Sequence, residues 1–311
     1  MLFSVVVPAF NAERSIYKCL NSILNQAFYS FEVIVVDDGS TDNTKNIISE
    51  IKAKNKNLIY LYQENRGVSA ARNLGLETCK GEYVVFLDSD DYVLDNYLSE
   101  LAEFIERTGY PEGILLGHWR SSNNKRREVK PYHLNGRETH EEKEALLFKG
   151  LINNCPWDKV FKRELFLLEN IWFMDGITVG EDALVTHALL LNSKSMQSFD
   201  KSFVVYVDNA YAVTKSVVKE KQLIDIVEVL NILSSNCKDV NREYFELFLI
   251  NSSLHYVKNY PNRDSVYLSR LKRLLEGSIH RVRLSLKWRV KDILKVFVLK
   301  VNNTLNLRGK D

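Results

Sequence analysis

Residues 31–42 read Phe31-Glu32-Val33-Ile34-Val35-Val36-Asp37-Asp38-Gly39-Ser40-Thr41-Asp42. An apolar run of strand length stops at two acids and a glycine, and Ser40 and Thr41 follow as cap candidates for a helical pattern over Asp42 to Lys54. The same unit recurs on either side. Strands are expected at Leu2 to Pro8, Phe31 to Asp37, Leu58 to Gln63 and Tyr83 to Asp88, with helices at Glu13 to Gln26, Asp42 to Lys54 and Val68 to Cys79 between them. Such alternation makes βα units on a mainly parallel sheet, so the fold class is α/β.

Ligands of such sheets bind outside the carboxyl ends of the strands, and the residues there carry chemistry. Strand one ends in Pro8-Ala9-Phe10-Asn11, strand two in Asp37-Asp38-Gly39-Ser40 and strand four in Asp88-Ser89-Asp90-Asp91, so acidic groups converge on one sheet edge. The spacing Asp88-x-Asp90 brings two carboxylates to one side of a turn, an arrangement suited to Mg²⁺ or Mn²⁺ shared with substrate phosphates. A polar turn with Asp91 as a helix cap fits the same residues. Asp38 suits a base N–H or a ribose hydroxyl, with a helix cap as the competing reading. In Gly67-Val68-Ser69-Ala70-Ala71-Arg72-Asn73, small residues permit close ligand approach and Arg72 is a natural bidentate partner for a diphosphate. Small packing residues beside a surface charge account for that segment equally well.

Beyond Gly109 the pattern is less regular: a polar, basic loop at Arg120 to Lys130, a helix near Glu141 to Lys149, and the stretch Trp157 to Leu168. Gly180-Glu181-Asp182 opens an apolar-periodic helix through Ala183, Leu184, Ala188, Leu189 and Leu191, which puts two acids at a helix N-terminus, where negative charge is favoured. From about Lys219 the pattern is helical almost to the end, interrupted at Pro261. The expected organisation is a catalytic domain over 1–215, with halves 1–110 and 111–215, and a helical region over 216–311.

Composition narrows the class. A chain of 311 residues with 45% hydrophobic content supports a packed core, and a formal charge of +2 gives no reason to expect nucleic acid. Cys19, Cys79, Cys155 and Cys237 stand far apart, which fits neither a zinc site nor a disulfide framework and makes a cytoplasmic setting the expectation. The N-terminus reads as a strand, without a signal-peptide pattern, and no apolar run approaches the roughly 18–20 residues of a spanning helix. From Ser278 to Asp311 nine Lys or Arg face two Asp, a net of +7 that leaves −5 for the rest. Leu286, Val290, Ile293, Leu294, Phe297 and Val301 recur there at helical spacing, a pattern suited to an anionic inner membrane face. A helix packed on the core or a contact between subunits are the other readings of it.

As a set, Ser4 to Asn11, Val35 to Asp42, Asn65 to Asn73 and Phe86 to Asp91 resemble the inverting glycosyltransferases of family 2, in that family's order and approximate spacing. They cover about the first hundred residues. The resemblance implies a GT-A fold and transfer of a sugar from a nucleotide diphosphate, UDP above others, to a hydroxyl of a cell-surface glycan or lipid-linked saccharide. Pro8, Ala9 and Asp38 would line the base pocket, with Asn11 and Ser89 beside the nucleotide. Asp88 would sit near the ribose, Asp90 would hold the metal and Arg72 would lie close to the diphosphate. Glu181-Asp182 matches the acidic pair whose second residue serves as base. Cys155-Pro156-Trp157-Asp158-Lys159-Val160-Phe161 is similar to a Trp-x-Lys segment of members that build capsule or lipopolysaccharide, whereas Tyr206 to Thr214 matches the family only loosely. No transmembrane helices of the kind found in processive synthases follow, so one sugar per acceptor is expected.

Rival classes are weaker. A nicotinamide-dependent dehydrogenase would need Gly-x-Gly-x-x-Gly in the first turn, which is absent. A receiver-like module would need neither 311 residues nor the later acidic pair. A nucleotide-sugar binding protein without catalysis is the remaining alternative, and the intact Asp90 and Asp182 argue against it.

Overall fold

The computed structural model describes residues 1–122, 125–208, 217–262 and 264–285. Residues 209–214 of the loosely matched segment and the basic stretch 286–311 lie outside the described residues. The chain begins as the alternation predicts, with strands β1 (Phe3–Ala9), β2 (Phe31–Asp38), β3 (Leu58–Gln63) and β4 (Tyr83–Phe86), and helices α1 (Ile16–Leu24), α2 (Thr44–Lys52) and α3 (Val68–Thr78). Every residue of β1 and β2 is buried, as strands covered on both faces must be. Helix α1 meets the sheet through Ile16, Cys19, Leu20 and Ile23, a single i, i+3, i+4, i+7 stripe. Helix α2 begins later than Ser40 and Thr41 suggest: Asp42 Oδ1 accepts the Thr44 N–H at 3.0 Å, and Ser40 donates its N–H to Asp37 instead.

Small residues in α3 are a packing requirement. A Cβ on Gly75 would stand 2.4 Å from Val6 Cγ1, so only glycine lets α3 lie this close to β1.

The later elements are β5 (Tyr92–Val93), α4 (Tyr97–Arg107), β6 (Gly113–Ser122), β7 (Lys125–Val129), α5 (His140–Phe148), β8 (Lys159–Lys162), α6 (Arg163–Leu168), α7 (Glu181–Asn192) and β9 (Met196–Val207). Helices α8 (Glu220–Asn236), α9 (Arg242–Asn259) and α10 (Val266–Ser285) follow. The strands form one sheet in the order β3-β2-β1-β4-β8-β6-β9-β5, with β7 beside β6. The first four strands pair in parallel, while β8 runs antiparallel to both β4 and β6, so the sheet is mixed beyond its parallel half.

One expectation is corrected here. The expected loop at Arg120 to Lys130 is largely strand among the described residues: β6 and β7 form an antiparallel pair from His118↔Val129 to Ser122↔Lys125. Lys125, Arg126 and Arg127 are exposed, and charged side chains on a strand that borders the sheet hide the apolar alternation by which strands are recognised.

The described residues divide into two compact units, one of residues 1–140 and 153–208, the other of 141–152 and 217–285. In the second, Phe148 of α5 packs on Phe245 and Phe248 of α9, and the buried Glu144 carboxylate accepts the Asn241 amide at 2.8 Å. Glu246 of α9 receives two hydrogen bonds from Arg281 of α10, at 2.7 and 2.9 Å, and one from Arg242.

Gly75→Ala sets two effects against each other. Alanine gains about 1 kcal/mol of helix propensity, but forcing a methyl into the α3–β1 contact costs about 1–3 kcal/mol, so net destabilisation is expected. Chemical denaturation of both proteins checks this, and an unchanged or higher midpoint would show that Val6 yields freely.

Candidate active site

The parallel strands bring their carboxyl ends together in register, Ala9 beside Asp37 and Asp38 beside Gln63. Two loops above them are laced by side chains. Asn11, at a left-handed φ of 49° that asparagine tolerates, accepts the Thr41 N–H at Oδ1 (2.8 Å) and donates its own N–H to Ser40 Oγ (3.0 Å). Ala12 N–H donates to Thr44 Oγ1 and Glu13 N–H to Asp42 Oδ2, which seats α1 against the start of α2. Pro8 and Ala9 are buried at the floor of this edge, with Phe10 half exposed above them.

Asp38 is almost fully buried and organises the loop before α3. Its Oδ1 accepts the Arg66 N–H and the Gln63 amide, at 2.8 and 2.7 Å, and its Oδ2 accepts the Gly67 N–H at 2.8 Å. A carboxylate has about four acceptor positions, so Oδ2 keeps capacity for one more donor. Asp37 is committed to structure, accepting Ser40 N–H and Tyr60 O–H.

The acids of the fourth strand end and those of α7 meet at Arg72. Its guanidinium donates to Asp182 Oδ1 at 2.7 Å and Glu181 Oε1 at 3.4 Å through Nη1, and to Asp88 Oδ1 at 3.1 Å through Nη2. The Arg72 side chain is 4% exposed, whereas Asp182 and Asp88 keep 25% and 28% open to solvent. The Phe173 ring lies 5.1 Å from the guanidinium carbon, and Nε finds no partner among the described residues. Gly180, in the left-handed region at φ 86°, turns the chain into α7 so that Glu181 and Asp182 occupy its first turn.

Asp182 titrates far from an ordinary aspartate. Burial, the largest influence, raises its pKa; Arg72 opposes this, Glu181 and Asp88 add to it, and the net is a rise to about 7. Asp91 is pushed up further, to about 9, by burial and then Asp88, with Asp90 adding a smaller share. It is therefore protonated at neutral pH, and its Oδ1 accepts the Val207 N–H at 2.8 Å, tying the acidic turn to the end of β9. Asp91 thus caps no helix. Ser89 and Asp90 lie half-buried between the two anchored acids.

Residues without an assigned role in the sequence reading complete the frame. The Asn73 carboxamide pairs with the Phe173 backbone in both directions, donating to its carbonyl at 2.7 Å and accepting its N–H at 2.9 Å. Phe173 also meets Phe86 of β4 edge-on at 5.2 Å, so the segment leading to α7 is fixed from two sides. Asp175 adds bonds to Asn73 and Arg66. Asn73 adjoins Arg72 in the sequence, but its partner lies a hundred residues on and leaves no local signal.

Trp157 is a packed residue. It is buried, stacks on Tyr206 at 5.5 Å and 13°, and presents an edge to His118 at 4.7 Å. Lys159 is buried beside it, donating to Asp158 Oδ1 at 2.5 Å and to the Cys155 carbonyl at 2.7 Å. The four cysteines are free thiols.

Residues 4–167 match the model of Glycosyl transferase family 2, and the chain belongs to that family. Among curated proteins it is 33% identical over 214 residues to the Streptococcus pneumoniae glycosyltransferase GlyA, an alignment covering 65% of this chain and 30% of that protein. It is 31% identical over 250 residues to the Staphylococcus aureus poly(ribitol-phosphate) β-N-acetylglucosaminyltransferase TarS, covering 74% of this chain and 41% of TarS. The chain thus spans well under half the length of these two relatives. Among solved structures, S. aureus TarS 1–349 in complex with UDP-GlcNAc superposes with a TM-score of 0.68 at 23% identity, over 92% of this chain and 91% of that one. The fold is therefore the GT-A fold, with helices following it.

Replacing Arg72 by Met leaves Asp88, Glu181 and Asp182 without their cation, and removing one partner of a buried ion pair costs about 3 kcal/mol. Because Arg72 holds the Asp182 pKa down, its loss moves that pKa above about 7, and protonation as pH falls relieves the repulsion. The gap in unfolding free energy between wild type and Arg72→Met is therefore expected to narrow from pH 8.5 to pH 6. A gap independent of pH would point to lost packing on Phe173 instead.

Proposed function

We propose that the chain transfers a hexosyl or N-acetylhexosaminyl unit from a nucleotide diphosphate sugar to a hydroxyl of a cell-surface glycan or lipid-linked saccharide, with inversion at the anomeric carbon. The observation that carries this reading is the Arg72 bridge, which holds Asp182 at the mouth of the same edge where the nucleotide-side residues Pro8, Ala9, Asn11 and Asp38 converge. UDP is the expected nucleotide, supported by the UDP-GlcNAc named in the TarS structure.

Asp182 serves as the general base. It takes the proton from the acceptor hydroxyl as that oxygen attacks opposite the nucleotide, and a carboxylate near pH 7 is matched to the task. Asp38 offers its remaining acceptor position to a base N–H, and Asp88, a quarter exposed, faces the ribose. Arg72 lies between the base and Asp88, where its charge stabilises the departing diphosphate.

Among the described residues no group of three His, Cys, Asp or Glu is disposed to hold a metal by itself. The local excess of carboxylate over guanidinium nevertheless suits a divalent cation completed by substrate phosphates. Asp90 would hold it, as Mn²⁺ or Mg²⁺. Such an ion supplies Lewis-acid stabilisation of phosphate charge when bound.

Nucleotide release from UDP-, GDP- and dTDP-sugars, with Mn²⁺, Mg²⁺ or chelator, tests the reading. Metal-dependent release from one donor is expected, lost in Asp90→Ala and reduced roughly 100-fold or more in Asp182→Asn. Full turnover by Asp182→Asn, or a product of retained configuration, overturns it. The rate should also rise with pH through about 7 as Asp182 ionises.

The charge of residues 278–311 adds a membrane-facing element: contact with the anionic inner face of the membrane, near a lipid-linked acceptor. No helix among the described residues is long and apolar enough to cross a membrane. The full chain is expected to sediment with phosphatidylglycerol vesicles and a chain ending at Gly277 to stay in solution; equal sedimentation removes the membrane role.

A further inference from the structure

The residues around the acids account for donor and base but name no contact for the acceptor, and the mixed half of the sheet supplies one. Backbone register pairs Tyr206 of β9 with Arg120 of β6, and Arg120 with Arg127 of β7. Residues opposite one another on adjacent strands project to the same face, so these three side chains form one row across three strands.

Tyr206 identifies which face. Its ring stacks on Trp157, and Trp157 in turn touches His118, which lies two residues before Arg120 and therefore on the same side of β6. The next residue of β9, Val207, donates its N–H to Asp91, and Asp91 and Asp90 add to burial in raising the Tyr206 pKa. The row therefore starts beside the acidic turn and runs outward from it, aromatic first and then two arginines.

Those arginines are poorly placed for a purely structural role. Like charges directly opposite in an antiparallel pair destabilise it. Arg120 rests over the Tyr206 ring at 5.9 Å, and among the described residues no carboxylate pairs with either guanidinium, Glu128 being taken by Lys130. Protection of an exposed edge explains charge on β7 but not on β6, which has neighbours on both sides. Arg126 differs from both: its Nη2 already donates to the Tyr92 hydroxyl at 2.7 Å.

We infer that Tyr206, Arg120 and Arg127 form an acceptor subsite for a glycan or polyol chain that carries phosphodiesters. Tyr206 packs against the unit that presents the reacting hydroxyl, and the two guanidiniums hold the phosphate beyond it. A single guanidinium fork satisfies a carboxylate, whereas two arginines arriving from adjacent strands suit the several oxygens of a phosphate. The assignment of this row as an acceptor site rests on the transferase reading above.

The test is calorimetric titration of the full chain, wild type and Arg120→Gln/Arg127→Gln, with poly(ribitol phosphate), polygalacturonate, dextran and phosphatidylglycerol vesicles. Wild type is expected to prefer poly(ribitol phosphate), increasingly so at low salt, and the double variant to bind it roughly tenfold more weakly or worse. Its affinity for UDP should match wild type, which also shows that it is folded. Equal binding of poly(ribitol phosphate) by the variant, or equal binding of polygalacturonate or dextran by wild type, overturns the assignment. So does a variant that loses vesicles but keeps the polymer, since the row is then a membrane contact. If the polymer behaves as expected while no nucleotide sugar is consumed, the transferase reading fails and the phosphate-binding row stands.

Discussion

The Arg72 guanidinium is almost sealed from water, and a buried cation is tolerated only where its charge is met. Three carboxylates meet it, one from the end of β4 and two from the first turn of α7. The dependence is mutual. Without the cation, two acids on α7 would face a third across a narrow gap; without the acids, the guanidinium would have no reason to be inside. Segments more than ninety residues apart are thereby fixed in one relation, and Asn73 secures it by binding the backbone that approaches α7.

The acidic turn after β4 is anchored at both ends by unlike means. Asp88 is held by a charge, and Asp91 by a backbone N–H of β9 that its buried, protonated carboxyl can accept without any counterion. Asp90 lies between these anchors, so its position follows from a parallel half of the sheet on one side and a mixed half on the other. A turn built from four consecutive polar residues would otherwise be a poor support for chemistry that needs fixed distances.

Much of the parallel half is legible in the sequence because burial on both faces leaves unbroken apolar runs in β1 and β2, and both strands lie within a residue or two of where those runs place them. The acids are legible for a related reason: residues just past such runs sit at the carboxyl edge. What is hidden depends on tertiary contact. Arg72 reads as a surface charge or a phosphate ligand until α7 folds back to it, and β7, with four charged residues in five, shows no apolar alternation by which a strand is recognised. Asn73 and Phe173 cannot be associated at all from a pattern, since a carboxamide paired with a distant backbone has no preferred spacing.

The electrostatics of Asp182 carry the argument from fold to mechanism. Burial alone would leave it protonated at neutral pH and useless as a base; full exposure would leave it ionised but weak, near the ordinary aspartate value. Arg72 draws the balance back to about 7. On the proposed reading, a donor diphosphate entering beside Arg72 brings negative charge to the same guanidinium that restrains the base. Shared between two anions, it restrains Asp182 less, so the carboxylate becomes more basic when a donor is present to react. On that reading, occupancy of the donor site would be coupled to the strength of the base through one side chain, without requiring movement of the backbone.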